Sequence, residues 1–440
     1  MSMTCNQCDS ISRSLDNGEK MLLQHLKLKF SVIDQGIIST IQRFWASGIR
    51  RFDRMQRLKI IVIGAGIGGL TAGVALTQAG YEVEVYDRVA ELRPAGAGIS
   101  LWSNGVKVLN RLGLGEKMAE IGGQMDVMEY RSKTGDMLNH ISLKPLIETV
   151  GQRPYPVART DLQQLLLDAF PGEVQLNSRC IGIEDDGQKV TALFENGHRA
   201  TGDLVVAADG VRSVLRTYVL GTEVAPRYGG YVNWNGLVPA DEALAPKNSW
   251  VIYVGEHKRA SVMPVAGDRF YFFLDVPLPN GTTTPPEKIQ AELTDHFAGW
   301  AEPVQNLIQT LDPFKTNRLS IHDVGPIDQM VRGRVALLGD SAHATCPDLG
   351  QGGCQAMEDV YMLTHFLMTT NISVEDALKR YEIERKERTQ SIVQKARSRA
   401  EQIHGKDPQV TEQWYEQLRT ERPEDVTGAI SKTILGGPLK

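Results

Sequence analysis

Three glycine-and-acid motifs and one odd strand hold most of the chemistry this chain could do. Gly64, Gly66 and Gly69 fit G-x-G-x-x-G between an apolar run, Leu58–Ile63, and a helical pattern. There the first glycine permits a tight turn and the second admits a pyrophosphate to the backbone. The third lets helix pack on strand, with the helix N-terminus facing the phosphates. Asp87 ends the second strand about twenty residues on, where a carboxylate takes ribose hydroxyls. An acid at that place speaks against a 2′-phosphate.

A dinucleotide site alone does not separate FAD from NAD; two further motifs do. Asp209-Gly210-Val211-Arg212-Ser213 follows an expected strand, Leu204–Ala208. Gly339-Asp340-Ser341-Ala342-His343 follows another, with Pro347 and then Gly350-Gln351-Gly352-Gly353-Cys354 behind it. A glycine loop that opens a helix gathers free N–H groups and a positive dipole end at one point. That suits the anionic N1–C2=O edge of a reduced flavin, and Asp340 would accept ribityl hydroxyls. His343 is expected to serve packing or a loop hydrogen bond rather than base catalysis, because no partner is visible for it. Cys346 and Cys354 flank these loops without a feature that would make them redox centres.

The odd strand is Gly-Tyr-Val-Asn-Trp-Asn-Gly-Leu-Val-Pro, 230–239. Side chains alternate faces with period two. Asn233 and Asn235 therefore share a face with Tyr231 and Leu237, and Val232, Trp234 and Val238 take the other. Asparagine is depleted in strands, and a buried amide without partners costs roughly 1–3 kcal/mol. Either that face is wet or something planar and polar lies against it.

Around these motifs the elements alternate in type. Residues 59–87 read as a βαβ unit. A hairpin is expected around Asn196-Gly197. Tyr228–Val238, Trp250–Val254, Arg259–Val265 and Arg269–Val276 read as a separate, mostly antiparallel sheet. A helix is expected near Gln355–Met368. Ser373 and Asp376 then open a long charged helix to about Ile403, whose charges over Lys379–Arg399 read as a solvated face. The expected division is 1–54 as an extension outside the fold, 55–227 and 318–370 as two parts of a cofactor domain, 228–317 as the substrate sheet, and 371–440 as a helical end. Two readings of 1–54 stand: translation from Met55, or a targeting or docking peptide.

The chain has 440 residues and a formal net charge of -5, enough for two or three cores and without a basic nucleic-acid stripe. No apolar run has the length of a membrane span. Five cysteines are unevenly placed, which fits a reducing cytoplasm. Cys5 and Cys8 form a lone C-x-x-C without the second pair a structural zinc needs, so no metal is expected.

The three motifs in this order resemble the flavoprotein aromatic hydroxylases of the p-hydroxybenzoate hydroxylase type. The resemblance implies an α/β fold: a Rossmann-like FAD domain, an inserted substrate sheet and C-terminal helices. It implies that Gly64, Gly66, Gly68, Gly69, Asp87, Arg88, Ser100, Arg159, Asp209, Asp340, Gly350, Gln351, Gly352, Gly353 and Cys354 contact FAD, with NADH docking transiently. Many family members have asparagine where this chain has Cys354. Tyr231–Leu237, Gly255-Glu-His-Lys-Arg259, Met263-Pro-Val, Arg269–Phe273 and His404-Gly-Lys-Asp more closely resemble the bacterial FAD-dependent urate hydroxylases. That implies hydroxylation of urate at C5 to 5-hydroxyisourate with NADH and O2, by way of a C4a-hydroperoxyflavin. Asn233 would read the purine edge, Arg259 hold the anionic oxygen, Tyr271 position the ring, and Phe272 or Phe273 pack on it. If urate arrives ionised, no strong base is needed. Alternatives are another small acidic aromatic such as salicylate or 6-hydroxynicotinate, a lipid-directed flavin reductase or epoxidase, and a flavin-binding redox sensor without turnover.

Overall fold

The computed structural model describes residues 58–92 and 98–440. The expected extension, 1–54, and Cys5 and Cys8 lie outside the described residues. Lys59–Ile63, Glu82–Tyr86, Leu204–Ala207 and Val335–Leu337 run parallel in one sheet. Val331–Arg332 and Val174–Gln175 complete it at its two edges. Parallel strands covered on both faces read as continuous apolar runs, and Ile60, Ile61, Val62, Val205 and Val206 are fully buried.

The register brings the motifs together. Ile63 pairs with Tyr86 on one side and Ala207 on the other, and Ala207 pairs with Leu337. Gly64, Asp87, Asp209 and Asp340 therefore leave the carboxyl ends of four neighbouring strands at one level. Ligands of open α/β sheets bind in the crevice outside those ends. Gly64 takes φ +108, and a Cβ there would stand 2.2 Å from the Ala208 carbonyl oxygen. The turn between strand and the helix Ile67–Gln78 admits only glycine.

A seven-stranded sheet stands beside this unit, in the order Asn317–Asp323, Arg227–Pro239, Arg269–Pro277, Lys258–Val265, Ser249–Gly255, Val127–Ser132, Met137–Ser142. It is mostly antiparallel, as expected, but reaches beyond 228–317 to recruit the hairpin of 127–142. The parallel pairing of Ser249–Gly255 with Val127–Ser132 is long-range and leaves no local signal. One face buries Val232, Trp234, Val262, Phe270, Phe272 and Leu274 against the helices Pro286–His296 and Glu302–Thr310. The opposite face carries the polar residues.

Gln355–Met368 was the expected helix; the observed one is Gly352–Leu367. Ser373 Oγ accepts from the Asp376 N–H at 3.0 Å and opens the helix Val374–His404. Its charges are not simply a solvated face. Arg385 is 1% exposed and donates to Asp359 and Glu358, both at 2.7 Å, and Arg397 donates to buried Asp323. Arg385 shares its side of the helix with Thr389, Ile392 and Ala396, so helical spacing turns it inward. His343 joins the network: its Nε2 lies 2.6 Å from Asp359 Oδ2, which also accepts from the Gly339 N–H. This ties the Gly339-Asp340 loop to the long helix, a loop role as expected for His343.

Candidate active site

Two cavities open along the carboxyl ends of the parallel strands and share Gly66, Arg88, Arg159, Asp209, Gly210 and Arg212. The smaller, about 310 Å³, is walled by Gly64, Asp87 and Arg179 among others. The larger, about 770 Å³, runs past Gly68, Ser100, Asp340, Gly350, Gly352 and Gly353 to the polar face of the large sheet. A long, bent ligand with phosphates at the Gly66 turn would thread both.

Strand register builds the far wall. Asn233, Asp275 and Arg259 are lateral neighbours on three adjacent strands. Asn235 pairs with Asn317 on one side and Phe273 on the other. The hairpin before Arg259 turns through Glu256 and His257 at φ +51 and +61, the left-handed pair a two-residue β-turn requires. Met263 and Tyr271 face the same cavity. Tyr271 lies over Gly98, where a Cβ would stand 2.3 Å from its ring. That glycine lets the strand Gly98–Leu101, which carries Ser100, approach the wall.

Arg259 is held from two sides. Its Nε and Nη2 donate to Asp275 Oδ2 at 2.8 and 2.6 Å, and Nη2 also donates to Asp348 Oδ1 at 3.0 Å. Tyr231 Oη donates to Asp348 Oδ2 at 2.7 Å. The Arg259 guanidinium stands 5.0 Å from the Phe273 ring centroid, within cation–π range. Among the described residues Nη1 has no partner. The expected anion holder is thus mostly engaged by two carboxylates, and Nη1 is what remains for a ligand. Burial opposes the charge of Arg259, but Asp275 and Asp348 outweigh it and raise its pKa. Burial also raises the Tyr271 hydroxyl, with Asp275 adding to the effect, so it stays a protonated donor.

His404 packs behind this pair. Its ring stacks on Tyr231 at 4.1 Å between centroids, and its Nδ1 lies 2.8 Å from the His257 carbonyl oxygen. That contact makes Nδ1 the protonated nitrogen. Nε2 points toward Asp275 Oδ2 at 3.8 Å and has no hydrogen-bond partner. Burial lowers the imidazole below its ordinary value.

Most sequence-predicted residues line the cavities; several do not. Phe272 is 1% exposed in the core on the opposite sheet face, because it is one residue out of phase with Tyr271 and Phe273. Its expected substrate contact is withdrawn. Gly69 packs instead on the Gly64 carbonyl, 1.8 Å from where a Cβ would be. The Gln351 side chain turns inward to accept from Asn104 and Gln355. The Cys354 thiol faces the carbonyls of Trp102 and Gly350, so its side chain is turned from the cavity. Burial pushes the Cys346 and Cys354 thiols up to about 12. Sequence reasoning missed Asp275, Asp348, Tyr231 and His404. Asp275 continues the period of Tyr271 and Phe273, which is the signal that could have found it.

The family model described as FAD binding domain matches residues 57–396. Over 385 residues the chain is 51% identical to the FAD-dependent urate hydroxylase of Klebsiella pneumoniae subsp. pneumoniae, covering 87% of this chain and 100% of the relative. The chain belongs to the FAD-dependent urate hydroxylase family. A second urate hydroxylase, from Mycolicibacterium vanbaalenii, is 48% identical over 386 residues, covering 87% of this chain and 98% of that one. The crystal structure of Klebsiella pneumoniae HpxO complexed with FAD and uric acid superposes with a TM-score of 0.84 at 50% identity, covering 88% of this chain and 98% of that one. A salicylate hydroxylase substrate complex reaches a TM-score of 0.69 at 24% identity, covering 87% and 99%, and shares the fold.

The cofactor of this urate hydroxylase family member is FAD, and the cavity fits it. Asp209 Oδ1 and Trp102 Nε1 are buried without partners. Buried polar atoms are rarely left so. Asp209 lines both cavities. Trp102 Nε1 would lie 2.6 Å from a Cβ at Gly350, a glycine of the cavity wall. A Cβ at Gly66 would meet nothing within 4 Å, so the first turn of the helix is open to a ligand. Among the described residues no His, Cys, Asp and Glu cluster could hold a metal, and no helix is long and apolar enough to cross a membrane.

Proposed function

We propose that this protein hydroxylates urate at C5 to 5-hydroxyisourate, with NADH and O2 as co-substrates. One observation carries the reading. A single cavity joins the flavin motifs, at Gly68, Asp340 and Gly350, to a wall of Asn233, Asn235, Arg259, Tyr271 and Phe273. A planar, anionic heterocycle edged with amide-like groups matches that wall. The relatives named above carry the same activity in their names, and the HpxO structure holds uric acid.

Bound FAD supplies hydride acceptance from NADH and activation of O2; the protein's residues do the rest. Gly64, Gly66, Asp87, Arg88 and Arg159 would hold the adenine and phosphate end, and Ser100, Asp209, Asp340 and the backbone of Gly350–Gly353 the flavin end. Arg259 Nη1 donates to an anionic oxygen of the substrate, in a charge-assisted bond. Asp275 and Asp348 fix the plane of that guanidinium, which restricts the substrate's pose. Tyr271 donates its protonated hydroxyl, and Phe273 packs on the ring. Asn233 reads the purine edge. The three described cysteines are free and buried, which supports a reducing cytoplasm.

The test is NADH oxidation by the yellow protein with urate, salicylate or 6-hydroxynicotinate. Urate alone should accelerate it, with loss of the purine absorbance. Acceleration by salicylate or 6-hydroxynicotinate instead would overturn the substrate assignment.

A further inference from the structure

One buried nitrogen beside the Arg259 cluster has no hydrogen bond: Nε2 of His404, a residue 4% exposed. The rest of the ring is held. Nδ1 donates to the His257 carbonyl oxygen at 2.8 Å, and the ring stacks on fully buried Tyr231. These contacts fix the plane of the imidazole and aim Nε2 at Asp275 Oδ2, 3.8 Å away. A lone pair gains nothing from facing a carboxylate, whereas an N–H there would face an acceptor.

The charges of the cluster give that proton a use. Arg259 is one cation between two buried carboxylates, Asp275 and Asp348. An anionic ligand on Arg259 Nη1 adds a further negative charge. The titratable groups facing the His404 ring are Asp275, Arg259, Asp348 and Tyr231, with His257 meeting it through its carbonyl. Tyr231 already carries its proton, which it donates to Asp348. Only the imidazole is a neutral base. It is also the last residue of the helix Val374–His404, an end that favours a cation. Burial keeps it neutral until the ligand arrives.

We propose that His404 takes up a proton at Nε2 as the anionic substrate docks on Arg259, and that it acts thereby as a positioning residue for this guanidinium. The inference rests on the reading of Arg259 as the holder of urate. One N–H bond forms, the proton comes from solvent, and no electron is transferred. The imidazolium then shares Asp275 Oδ2, which accepts from both Nε and Nη2 of Arg259. Part of that carboxylate's hold passes to the ring, and Arg259 turns more of its charge to the ligand. The contacts in series, from Nε2 through Asp275 and the guanidinium, put the ligand's charge within about 12 Å of Nε2. At an effective dielectric of about 20, one charge at that distance changes proton affinity about tenfold.

The experiment is calorimetric titration of urate into the oxidised holoenzyme, in buffers of different ionisation heat, over a series of pH values. The dependence of the heat on the buffer counts the protons exchanged. Uptake on binding means that affinity for the anion rises as pH falls. The wild type should take up protons below pH 6.5, the ordinary value for the imidazole. Its affinity for the urate anion should rise about tenfold between about pH 8 and about pH 5.5. His404→Asn keeps an N–H for the His257 carbonyl but has nothing to protonate, so its affinity for the anion should stay level and its uptake should vanish. His404→Gln is the second variant, should the first not fold. His322 also lines the cavity, and uptake that persists in the His404 variants would overturn the proposal in its favour. A wild type that binds urate without uptake anywhere in this range overturns it with no variant needed. A holoenzyme that gives no heat with urate but binds salicylate would sink the urate reading alone, and the same proton count with salicylate then decides the role of His404.

Discussion

Asp348 Oδ1 and Arg259 Nη2 stand 3.0 Å apart. One residue belongs to the loop behind the Gly339-Asp340 flavin motif, the other to the large sheet. Their contact, with Tyr231 on the other Asp348 oxygen, ties the flavin side of the cavity to the polar wall of the large sheet.

Removing the cation from this arrangement leaves Asp275 and Asp348 facing each other's charge without the cation that both contact. Arg259→Gln should keep FAD but lose on the order of 100-fold in kcat/KM for urate, from the few kcal/mol that truncating a buried charge pair costs. Wasted NADH oxidation, read as hydrogen peroxide, should rise. Wild-type efficiency in the variant would place Arg259 outside the site.

Two neighbouring phenylalanines should behave differently. Phe272→Leu opens space in the core and should cost roughly 1–3 kcal/mol in denaturant unfolding, with KM for urate little changed. Phe273→Leu should raise KM several-fold with a smaller stability loss, because that ring faces the cavity. Equal effects on both quantities would contradict the alternation of the strand.

Gly350 sits at φ +62, and a Cβ there would reach 2.6 Å from Ser100 Oγ and from Trp102 Nε1. The left-handed conformation alone costs a non-glycine residue roughly 1–2 kcal/mol. Gly350→Ala should therefore purify with less flavin and bind FAD about tenfold or more weakly in equilibrium dialysis. Full flavin occupancy would show that the loop yields at no cost.

His404 bears on pH. Its folded-state pKa is lowered by burial from the ordinary value of 6.5, so the unfolded chain binds the proton more readily. Its contribution to stability is full above 6.5 and is lost as pH falls from there toward the lowered value. In denaturant titrations over that window, His404→Asn should flatten the slope, by up to about 1.4 kcal/mol per pH unit. An identical slope in the variant would remove His404 as its source. The groups facing the ring are Asp275, Arg259, Asp348 and Tyr231.

Much of the cofactor half was legible in the sequence because its signals are local. A glycine with positive φ between strand and helix, an acid at the next strand end and a glycine loop before a helix each carry their reason within a few residues. Register then gathers them. The polar wall of the cavity was legible through alternation, which placed Asn233 and Asn235 together on one face, opposite Trp234. Alternation applied one strand further would have excluded Phe272 and found Asp275. Helical spacing would likewise have turned Arg385 inward. The recruitment of Val127–Ser132 to the large sheet, and the docking of His404 behind Arg259, join segments far apart in sequence and leave no local trace.

The most direct measurement of the account is the stoichiometry of aerobic turnover: urate consumed, NADH consumed and hydrogen peroxide formed, followed together in the wild-type holoenzyme. One urate lost per NADH, with little peroxide, is the expected result. NADH consumed with peroxide as the only product, and urate untouched, would contradict it.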